Sequence, residues 1–423
     1  MKVAHNKVCL HLNSLVFGAL LLTSAALVQP AYAKPANSPG WPQWLGPDRN
    51  GISPETHLFG DAPAFNERWR IAADAGFSGL SVVGDRIYTM YAKGQHEYAV
   101  CLDATTGIEI WTTRTGALFA DSMGGDGPRV TPTIVGDRVF TASAHSVLYS
   151  LDAETGDVVW ARDLPAQLAS ARLSRYDWGY SASPLVEDGR VLIESGGREG
   201  RSLAAFDTED GSLLWTAGND EMSYSSPIGI TYDGRRQAVF FTAASLMAVA
   251  PESGQILWRH LWPTDMKINA ATPVFVSPDK IFISTGYGVG SALVQLTASN
   301  DAITPTEIWK HKRMKNHFAT SVYYQGHLYG FNESLLVCLN AASGEEEWKT
   351  RGYGKGSLII ADGHLVILGE RGNLGIAVAT PKAFRAKATY PVFDSRCWTN
   401  PSLADGHIYL RDENEIVCLN ITQ

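Results

Sequence analysis

The chain has 423 residues, a formal net charge of −8, 45% hydrophobic residues and 10% aromatic residues. This composition is typical of a globular protein with enough apolar material for a large core. The acidic balance, with no run of lysine or arginine, argues against a nucleic-acid partner, because proteins that bind nucleic acid usually carry a basic surface.

The first 33 residues have the pattern of an export signal. Two lysines precede the apolar stretch 15–28, and Ala31 and Ala33 supply the small residues of a cleavage motif. The apolar stretch is about 14 residues long, shorter than the roughly 20 that a spanning helix needs. We therefore predict a signal peptide over 1–33, cleavage after Ala33, a periplasmic or secreted protein, and no transmembrane segment in the mature chain.

Residues 34–64 are rich in proline, glycine and tryptophan, and they predict an extended arm. The arm contains WPQWLGPDRNGISPE, in which Trp41 and Trp44 are expected to pack on the following domain. The DRNG stretch lacks the later acidic ligands of a calcium loop. We therefore predict no metal site in the arm.

A ten-residue phrase that ends in tryptophan recurs after the arm. Its copies read LDATTGIEIW, LDAETGDVVW, FDTEDGSLLW, VAPESGQILW and LNAASGEEEW, with looser copies in NERWRIA and around residue 309. The tryptophans stand roughly 40–55 residues apart, a period typical of propeller blades. Their positions are Trp69, Trp111, Trp160, Trp215, Trp258, Trp309 and Trp348, and the turn glycines of the phrase are Gly107, Gly156, Gly211, Gly254 and Gly344.

A second phrase alternates with the first, as in SVVGDRIYTM and PSLADGHIYLR. Each copy places two short apolar runs around a turn, which indicates a β-hairpin. Eight such hairpins begin near residues 78, 130, 182, 225, 271, 320, 357 and 400. Two hairpins per unit predict an all-β, eight-bladed β-propeller of four-stranded antiparallel blades over 65–423. The last unit ends before a tryptophan strand, so we predict that the N-terminal strand NERWRIA closes the ring.

Three cysteines share one column of the repeat. Cys101, Cys338 and Cys418 stand where other copies have serine or alanine, as at Ser150 and Ala205. A column that accepts these three residue types is a tight packing position, where cysteine behaves as a small hydrophobe. We therefore expect reduced, structural thiols.

The repeats diverge just before the first strand of each unit, and these segments are predicted to surround one mouth of the central channel. The innermost strands begin with small or hydroxyl residues, namely Thr131, Ser183, Ser226, Thr272, Ser321, Ser357 and Asn400. Cations, amides and aromatic residues precede them: Arg129, Trp178, Tyr180, Tyr224, Asn269, Asn316, His317, Lys355, Arg396 and Trp398. Such a concave set predicts a site for a small polar or anionic ligand. Aromatic plugging of the mouth and a protein-docking surface are the alternatives.

The tryptophan phrase resembles the docking motif of the pyrroloquinoline-quinone (PQQ) type propellers of secreted bacterial proteins. Further similar stretches are GDGPRVTPTI and CWTNP. The resemblance implies that the small residue and the glycine turn hold the tryptophan of a neighbouring blade. The family includes quinoprotein alcohol dehydrogenases and the propeller subunit of the outer-membrane β-barrel assembly machinery.

The resemblance leaves three functions open. The dehydrogenases carry adjacent cysteines and hold calcium through Glu, Asn and Asp beside the quinone, and this sequence matches neither feature. It also lacks GxSxG, HExxH and a phosphate loop. We therefore predict a monomeric binding or scaffolding module for envelope proteins or a small polar ligand, without catalytic residues, metal or cofactor. A PQQ- and calcium-dependent oxidoreductase is the alternative, and a glycan-processing hydrolase or lyase is the third.

Overall fold

The computed structural model describes residues 40–168, 178–197, 199–300 and 302–422. The predicted signal peptide lies outside these residues. The described residues form 33 β-strands and one short helix, and none of their helices is long and apolar enough to cross a membrane.

Two strands precede the first complete blade. They are β1 (Ile52–Ser53) in the arm and β2 (Ala64–Ala72), which contains Trp69. Each of the next seven units has four antiparallel strands that follow one another in the chain, from the innermost to the outermost, and in the seventh unit β1 adds a parallel strand beside the innermost one.

The strands of blades 1 to 4 are as follows. Blade 1 consists of β3 (Ser81–Val83), β4 (Arg86–Lys93), β5 (His96–Asp103) and β6 (Glu109–Ala117). Blade 2 consists of β7 (Thr133–Val135), β8 (Arg138–Ala142), β9 (Val147–Asp152) and β10 (Val158–Asp163), and the helix α1 (Leu164–Leu168) follows it. Blade 3 consists of β11 (Leu185–Glu187), β12 (Arg190–Glu194), β13 (Leu203–Asp207) and β14 (Leu213–Ala217). Blade 4 consists of β15 (Ile228–Tyr232), β16 (Arg235–Phe241), β17 (Ser245–Val249) and β18 (Ile256–Leu261).

The strands of blades 5 to 8 follow the same order. Blade 5 consists of β19 (Val274–Val276), β20 (Lys280–Thr285), β21 (Gly290–Ser299) and β22 (Ala302–His311). Blade 6 consists of β23 (Val322–Tyr324), β24 (His327–Asn332), β25 (Leu335–Asn340) and β26 (Glu346–Thr350). Blade 7 consists of β27 (Ser357–Ala361), β28 (His364–Leu368), β29 (Asn373–Val378) and β30 (Ala386–Pro391). Blade 8 contains β31 (Ser402–Ala404), β32 (His407–Arg411) and β33 (Glu415–Thr422).

The N-terminal strand completes blade 8. Strand β2 pairs with β33 in antiparallel register, with Trp69 opposite Cys418, as Trp111 stands opposite Cys101 in blade 1. The prediction of an eight-bladed propeller closed by an N-terminal strand is therefore confirmed. Closure gives β33 an outer neighbour and joins the first and last parts of the domain.

Six of the seven tryptophans of the repeated phrase lie near the turn of the following unit, and Trp111 illustrates the geometry. Its Nε1–H donates to Ala153 O at 3.2 Å. Gly156 adopts a φ of +77°, and a Cβ at this position would lie 2.5 Å from the Trp111 ring. The turn therefore needs glycine both for its backbone conformation and for the approach of the indole.

The same indole-to-carbonyl bond recurs with one exception. Carbonyls of the following unit accept from six of the seven tryptophans, and the acceptors are Ala104, Ala153, Thr208, Pro251, Ala341 and Thr380. Trp258 instead donates to Gln237 Oε1 in its own blade at 2.7 Å. The sequence of blade 5 has no copy of the glycine turn, but this does not explain the exception, because blade 7 also lacks it and Thr380 O still accepts from Trp348.

The four described cysteines are free and buried. Burial raises the pKa of the Cys101 thiol to about 11 and that of the Cys338 thiol to about 12. These thiols remain protonated at neutral pH, which agrees with the prediction that the cysteine column is structural.

Candidate ligand-binding site at the channel mouth

The hydroxyl column at the start of the innermost strands joins neighbouring blades. Thr131 Oγ1 accepts from Gly79 N at 3.0 Å, and Thr131 N donates to Ser183 Oγ at 3.0 Å. Ser183 N in turn donates to Ser226 Oγ at 2.9 Å. These hydroxyls therefore satisfy backbone groups between blades and build the channel wall.

A cavity of about 330 Å³ lies on the mouth side of this column, and we call it the mouth cavity. Most of its larger side chains are aromatic, which makes its walls more apolar than the sequence suggested. The cavity is lined by Trp44, Phe77, Met123, Gly124, Arg129, Trp178, Ser181, Tyr224, Ser226, Ile268, Ala270, Tyr287, His317, Phe318, Trp398 and Thr399.

Arg129 supplies a positive charge to one wall. Its guanidinium donates to Asp121 Oδ2 at 3.2 Å, to Gly127 O at 2.5 Å and to Gly125 O at 2.7 Å. These bonds use three of the five guanidinium N–H groups, and among the described residues the Nε–H and one Nη1–H have no acceptor. Burial lowers the pKa of Arg129 and Asp121 partly offsets this effect, but an arginine stays protonated at neutral pH.

A stack of aromatic rings and a second arginine extend the same wall. Arg396 lies over the Trp398 ring, 4.3 Å from its centroid, and 5.3 Å from the centroid of Phe77. Its charge is paired with Glu413. Trp398 Nε1 donates to Glu370 Oε1 at 3.1 Å, which fixes the indole. Arg396 therefore supports the aromatic wall from behind.

His317 lies on another wall of the mouth cavity. Its ring centroid is 4.7 Å from that of Tyr287 and 5.5 Å from that of Phe318. Burial, and then the positive charge of Lys355, lower the pKa of His317, so the imidazole is neutral at pH 7. Within the described ranges, no hydrogen-bond partner reaches its buried Nδ1 atom.

The structure divides the ten predicted mouth residues into two groups. Five of them line the cavity: Arg129, Trp178, Tyr224, His317 and Trp398. The other five do not line it: Tyr180, Asn269, Asn316, Lys355 and Arg396.

Three of the non-lining residues are buried within the walls. Asn269 Nδ2 donates to Thr242 O at 2.7 Å, and Asn316 Nδ2 donates to Phe331 O at 3.1 Å. Tyr180 belongs to the hydrophobic core between blades. The two amides also accept from hydroxyls, Asn269 Oδ1 from Thr285 and Asn316 Oδ1 from Ser321, so their hydrogen bonds hold the loops in place.

Several lining residues lie outside the set predicted from the sequence. Phe77 stands in the segment before the first strand of blade 1, the same place in the repeat as the predicted residues, so an extension of the alignment to blade 1 identifies it. Tyr287 lies between β20 and β21, at the other end of a hairpin, where no signal in the sequence points to the mouth. Trp44 comes from the arm.

The arm crosses the channel on the other side of the mouth cavity. Trp41 forms an antiparallel bridge with Val82 in blade 1, and β1 pairs in parallel with β27 in blade 7. Between these points, Trp44 Nε1 donates to Thr272 Oγ1 at 2.9 Å in blade 5. The arm therefore reaches blades on different sides of the ring and places Trp44 at the inner end of the mouth cavity.

Arg49 anchors the arm to blades 3 and 4. The residue is 4% exposed, and its guanidinium donates to Ser183 O at 3.0 Å, Pro184 O at 3.0 Å and Pro227 O at 2.9 Å. Burial lowers its pKa to about 9, and Glu187 partly offsets this effect. On the other side of the arm lies a second cavity of about 340 Å³, lined by Leu45, Asp48 and Arg49 among others, which we call the far cavity.

The donor set around the mouth cavity suits an aromatic anion better than a metal ion. In the part of the chain that the structure describes, no group of three or more His, Cys, Asp or Glu side chains could hold a metal. The neighbouring carboxylates are engaged, Asp121 with Arg129 and Glu413 with Arg396. The aromatic walls fit a planar quinone ring, but these residues do not form a calcium site, so we derive no redox step.

The serine and threonine hydroxyls of the cavity each take part in a hydrogen bond. Ser181 Oγ donates to Tyr224 O, and Thr399 Oγ1 donates to Phe77 O. Ser226 Oγ accepts from Ser183 N. No hydrogen bond in the described ranges links one of these hydroxyls to His317, so the geometry offers no activated nucleophile.

Comparison with known proteins agrees with the fold and the repeat. The family model described as "Outer membrane protein assembly factor BamB" matches residues 95–350, more than half of the chain. The chain belongs to this family. Its BamB relative from Yersinia pestis is 29% identical over 182 residues, which cover 40% of this chain and 41% of that protein. The quinohemoprotein alcohol dehydrogenase ADH IIB of Pseudomonas putida is 24% identical over 149 residues, 33% of this chain and 20% of that protein.

The match thus spans less than half the length of these curated relatives. The crystal structure of BamB from Moraxella catarrhalis superimposes with a TM-score of 0.59 at 13% identity, covering 84% of this chain and 98% of that one. The resemblance to PQQ-like propellers inferred from the tryptophan phrase is confirmed, and the structural likeness supports the fold alone.

Proposed function

We propose that this PQQ-like propeller is a binding module of the cell envelope whose mouth cavity takes a small planar ligand with an acidic group. The observation that carries the proposal is the wall formed by Arg129: a charged guanidinium, 11% exposed, with two N–H groups that lack acceptors in the described residues. The family name, outer membrane protein assembly factor, supports the envelope location.

The shape and polarity of the cavity define the ligand class. Six aromatic side chains and Trp44 offer ring faces for a flat, apolar body, and Arg129 offers charge-assisted hydrogen bonds to a carboxylate or sulfonate. A fully polar ligand would leave these ring faces unused and would lose its own hydration. The ligand is therefore amphiphilic, which narrows the small polar or anionic ligand predicted from the sequence to an anion with an apolar body.

A calorimetric titration with 2-naphthoate and the neutral, similarly shaped 2-naphthylmethanol tests this function. We expect 2-naphthoate to bind at least ~10-fold more tightly, because a hydrogen bond to a charged group contributes about 1.5–3 kcal/mol. Arg129→Gln should abolish this preference and leave the affinity for the alcohol unchanged. The proposal would be refuted if neither compound bound, or if Arg129→Gln kept the preference of the wild type for 2-naphthoate.

A second candidate function is docking of an envelope protein at the rim. The outer strands of blades 1 to 5 expose aliphatic side chains next to their tryptophans: Ile110, Val158, Val159, Leu213, Leu214, Ile256 and Ile308. The equivalent positions of blade 6 carry Glu346 and Glu347. Exposed apolar side chains that recur at the same place in five successive blades could together form an interaction site.

The rim function has its own test. Leu213→Glu combined with Leu214→Glu should release outer-membrane proteins that copurify with the wild type from envelope extracts, whereas Arg129→Gln should retain them. If the double variant retains the same proteins, the rim is not their docking surface.

The described residues favour neither of the two alternatives predicted from the sequence, the PQQ-dependent oxidoreductase and the glycan-processing hydrolase or lyase. The carboxylates Asp121 and Glu413 beside the mouth cavity are paired with arginines, and no hydrogen bond in the described ranges links His317 to a serine or threonine hydroxyl of the cavity.

A further inference from the structure

We propose that Trp44, supplied by the arm, sets the ligand specificity of the mouth cavity: it selects ligands whose inner end is apolar and whose acidic group stays at the Arg129 wall. This inference rests on the proposed function and deepens it, because it assigns the orientation of the ligand and the residue that enforces it.

Trp44 holds a different position in the cavity from most lining residues. Apart from Ser226 and Tyr287, the others come from segments that precede the hydroxyl column, such as Ile268 and Ala270 before Thr272. Trp44 lines the same cavity but bonds to Thr272 itself, at the level where the innermost strand β19 begins. The Trp44 indole therefore forms the floor of the cavity, and Arg129 stands in its side wall.

The floor of the cavity is mainly apolar. The Trp44 N–H is used by Thr272 Oγ1, so the indole presents carbon atoms to the cavity. The nearby Ser226 Oγ accepts from Ser183 N, so only its O–H could serve as a donor beside the indole. An acidic group pressed against this floor would lose its hydration and find no donor on the indole itself, which is unfavourable for a charged group. The same group at Arg129 meets two free N–H donors.

The arm segment that carries Trp44 is held at both ends. Five residues beyond Trp44, the buried Arg49 guanidinium binds three carbonyls from two blades. On the other side, Trp41 N donates to Val82 O at 2.8 Å, and Trp41 O accepts from Val82 N at 2.8 Å. Both ends of the short segment are therefore fixed, and the floor cannot withdraw to accommodate a second acidic group.

The arm separates the mouth cavity from the far cavity. Trp44 lines the mouth cavity, whereas the next residue, Leu45, lines the far cavity. Removal of the indole is expected to open the floor toward the far cavity and to admit water there. Leu45 is 2% exposed and belongs to the same segment, so it provides a matched control for loosening of the arm.

The test compares 2-naphthoate with 2,6-naphthalenedicarboxylate, which carries an acid at both ends, by calorimetric titration. The wild type should prefer the monoacid by at least ~10-fold, because the second carboxylate would have to lie against the apolar floor. In Trp44→Ala the preference should fall below ~3-fold. Leu45→Ala should keep the preference of the wild type.

A second variant tests the polarity of the floor while the indole stays in place. Thr272→Val removes the acceptor of the Trp44 N–H and frees this donor for the second carboxylate. We expect the preference for the monoacid to fall in Thr272→Val as well, with the thermal midpoint of each variant recorded to show that it is folded.

The outcomes separate the two proposals. If the wild type binds neither acid, the proposed function and this inference both fail. If the wild type prefers the monoacid but Trp44→Ala and Thr272→Val keep that preference, or Leu45→Ala loses it equally, the mouth cavity remains a ligand site and the role of Trp44 is overturned.

Discussion

The outer strands and the channel mouth of this propeller come from the same eight repeats, but the outer strands keep the same side-chain contacts from blade to blade, whereas the mouth residues differ. At the outer strands, six tryptophans donate to a carbonyl of the next unit in the same way. At the mouth, Arg129, His317 and Trp398 occupy corresponding segments with different chemistry. Residues that recur from blade to blade hold the propeller together, and residues that differ between blades can form a specific site.

Divergence from the repeat does not by itself identify a residue that can bind a ligand. Asn269 and Asn316 diverge from the repeat, yet both are buried and bind backbone carbonyls. Trp258 belongs to the repeat, yet its indole binds Gln237. A divergent position is therefore functional only when its side chain also reaches open space, and this depends on loop conformation rather than on residue type.

The largest effect is expected for the frame. Trp160 is 5% exposed, and its indole N–H donates to Thr208 O. Trp160→Ala should lower the free energy of unfolding by about 3–5 kcal/mol, because it leaves a cavity between two blades. Denaturant unfolding measures this change. The neighbouring Val159→Ala, at a 41% exposed position, should stay within about 0.5 kcal/mol of the wild type. An unchanged midpoint for Trp160→Ala would contradict the packing role.

The next largest effect on the free energy of unfolding is expected for Arg49, which anchors the arm to the propeller. Arg49→Met removes hydrogen bonds to Ser183 O, Pro184 O and Pro227 O, and only Pro184 O keeps a second donor, the Thr133 hydroxyl. We expect a loss of about 3 kcal/mol in the free energy of unfolding. Lys349→Met, at an exposed ion pair with Glu346, is the control and should change the value by less than about 0.5 kcal/mol. Equal effects of the two substitutions would show that the arm does not hold the ring together.

A smaller effect separates backbone strain from indole packing. Gly211 and Gly234 have nearly the same φ, +67° and +68°, but a Cβ at Gly211 would lie 2.5 Å from Trp160 and a Cβ at Gly234 would meet nothing within 4 Å. Gly234→Ala should cost about 1–2 kcal/mol through its left-handed backbone. Gly211→Ala should cost about 1–3 kcal/mol more through overpacking. Urea unfolding of both variants measures the difference, and equal costs would mean that the indole does not constrain the turn.

The smallest effect concerns pH. Glu194 is fully buried, and burial raises its pKa well above the ordinary value, although a hydrogen bond from Ser223 N opposes the shift. A raised native pKa means that the folded protein binds more protons than the unfolded chain above the unfolded pKa, so stability falls as pH rises through that window. Glu194→Gln should remove this slope. Unfolding midpoints between pH 5 and pH 8 measure it, and parallel curves for the wild type and the variant would exclude Glu194 as the source.

The sequence could predict the frame because the frame is local and repeated. The turn glycines and tryptophans recur in five clear copies, and alternation within each hairpin identifies the strands. The floor of the mouth cavity could not be predicted in this way. Trp44 reaches the channel only because the arm crosses the ring and Arg49 fixes it, and these contacts join residues more than a hundred positions apart.

The sequence also overestimated the polarity of the mouth. Polar residues in the loop segments suggested a polar ligand, but the amides of Asn269 and Asn316 turn into the walls. Aromatic rings, including those of Phe77 and Phe318, line the mouth cavity instead. Backbone carbonyls at the blade junctions require donors, and this requirement, which no single segment reveals, decides which side chains remain available to a ligand.

A crystal structure of the protein with 2-naphthoate would test the central claim most directly. We predict the carboxylate within hydrogen-bond distance of Arg129 and the far edge of the ring system against Trp44. A ligand in the far cavity or on the rim, or a carboxylate that points toward Trp44, would contradict the assignment of the mouth cavity as the binding site.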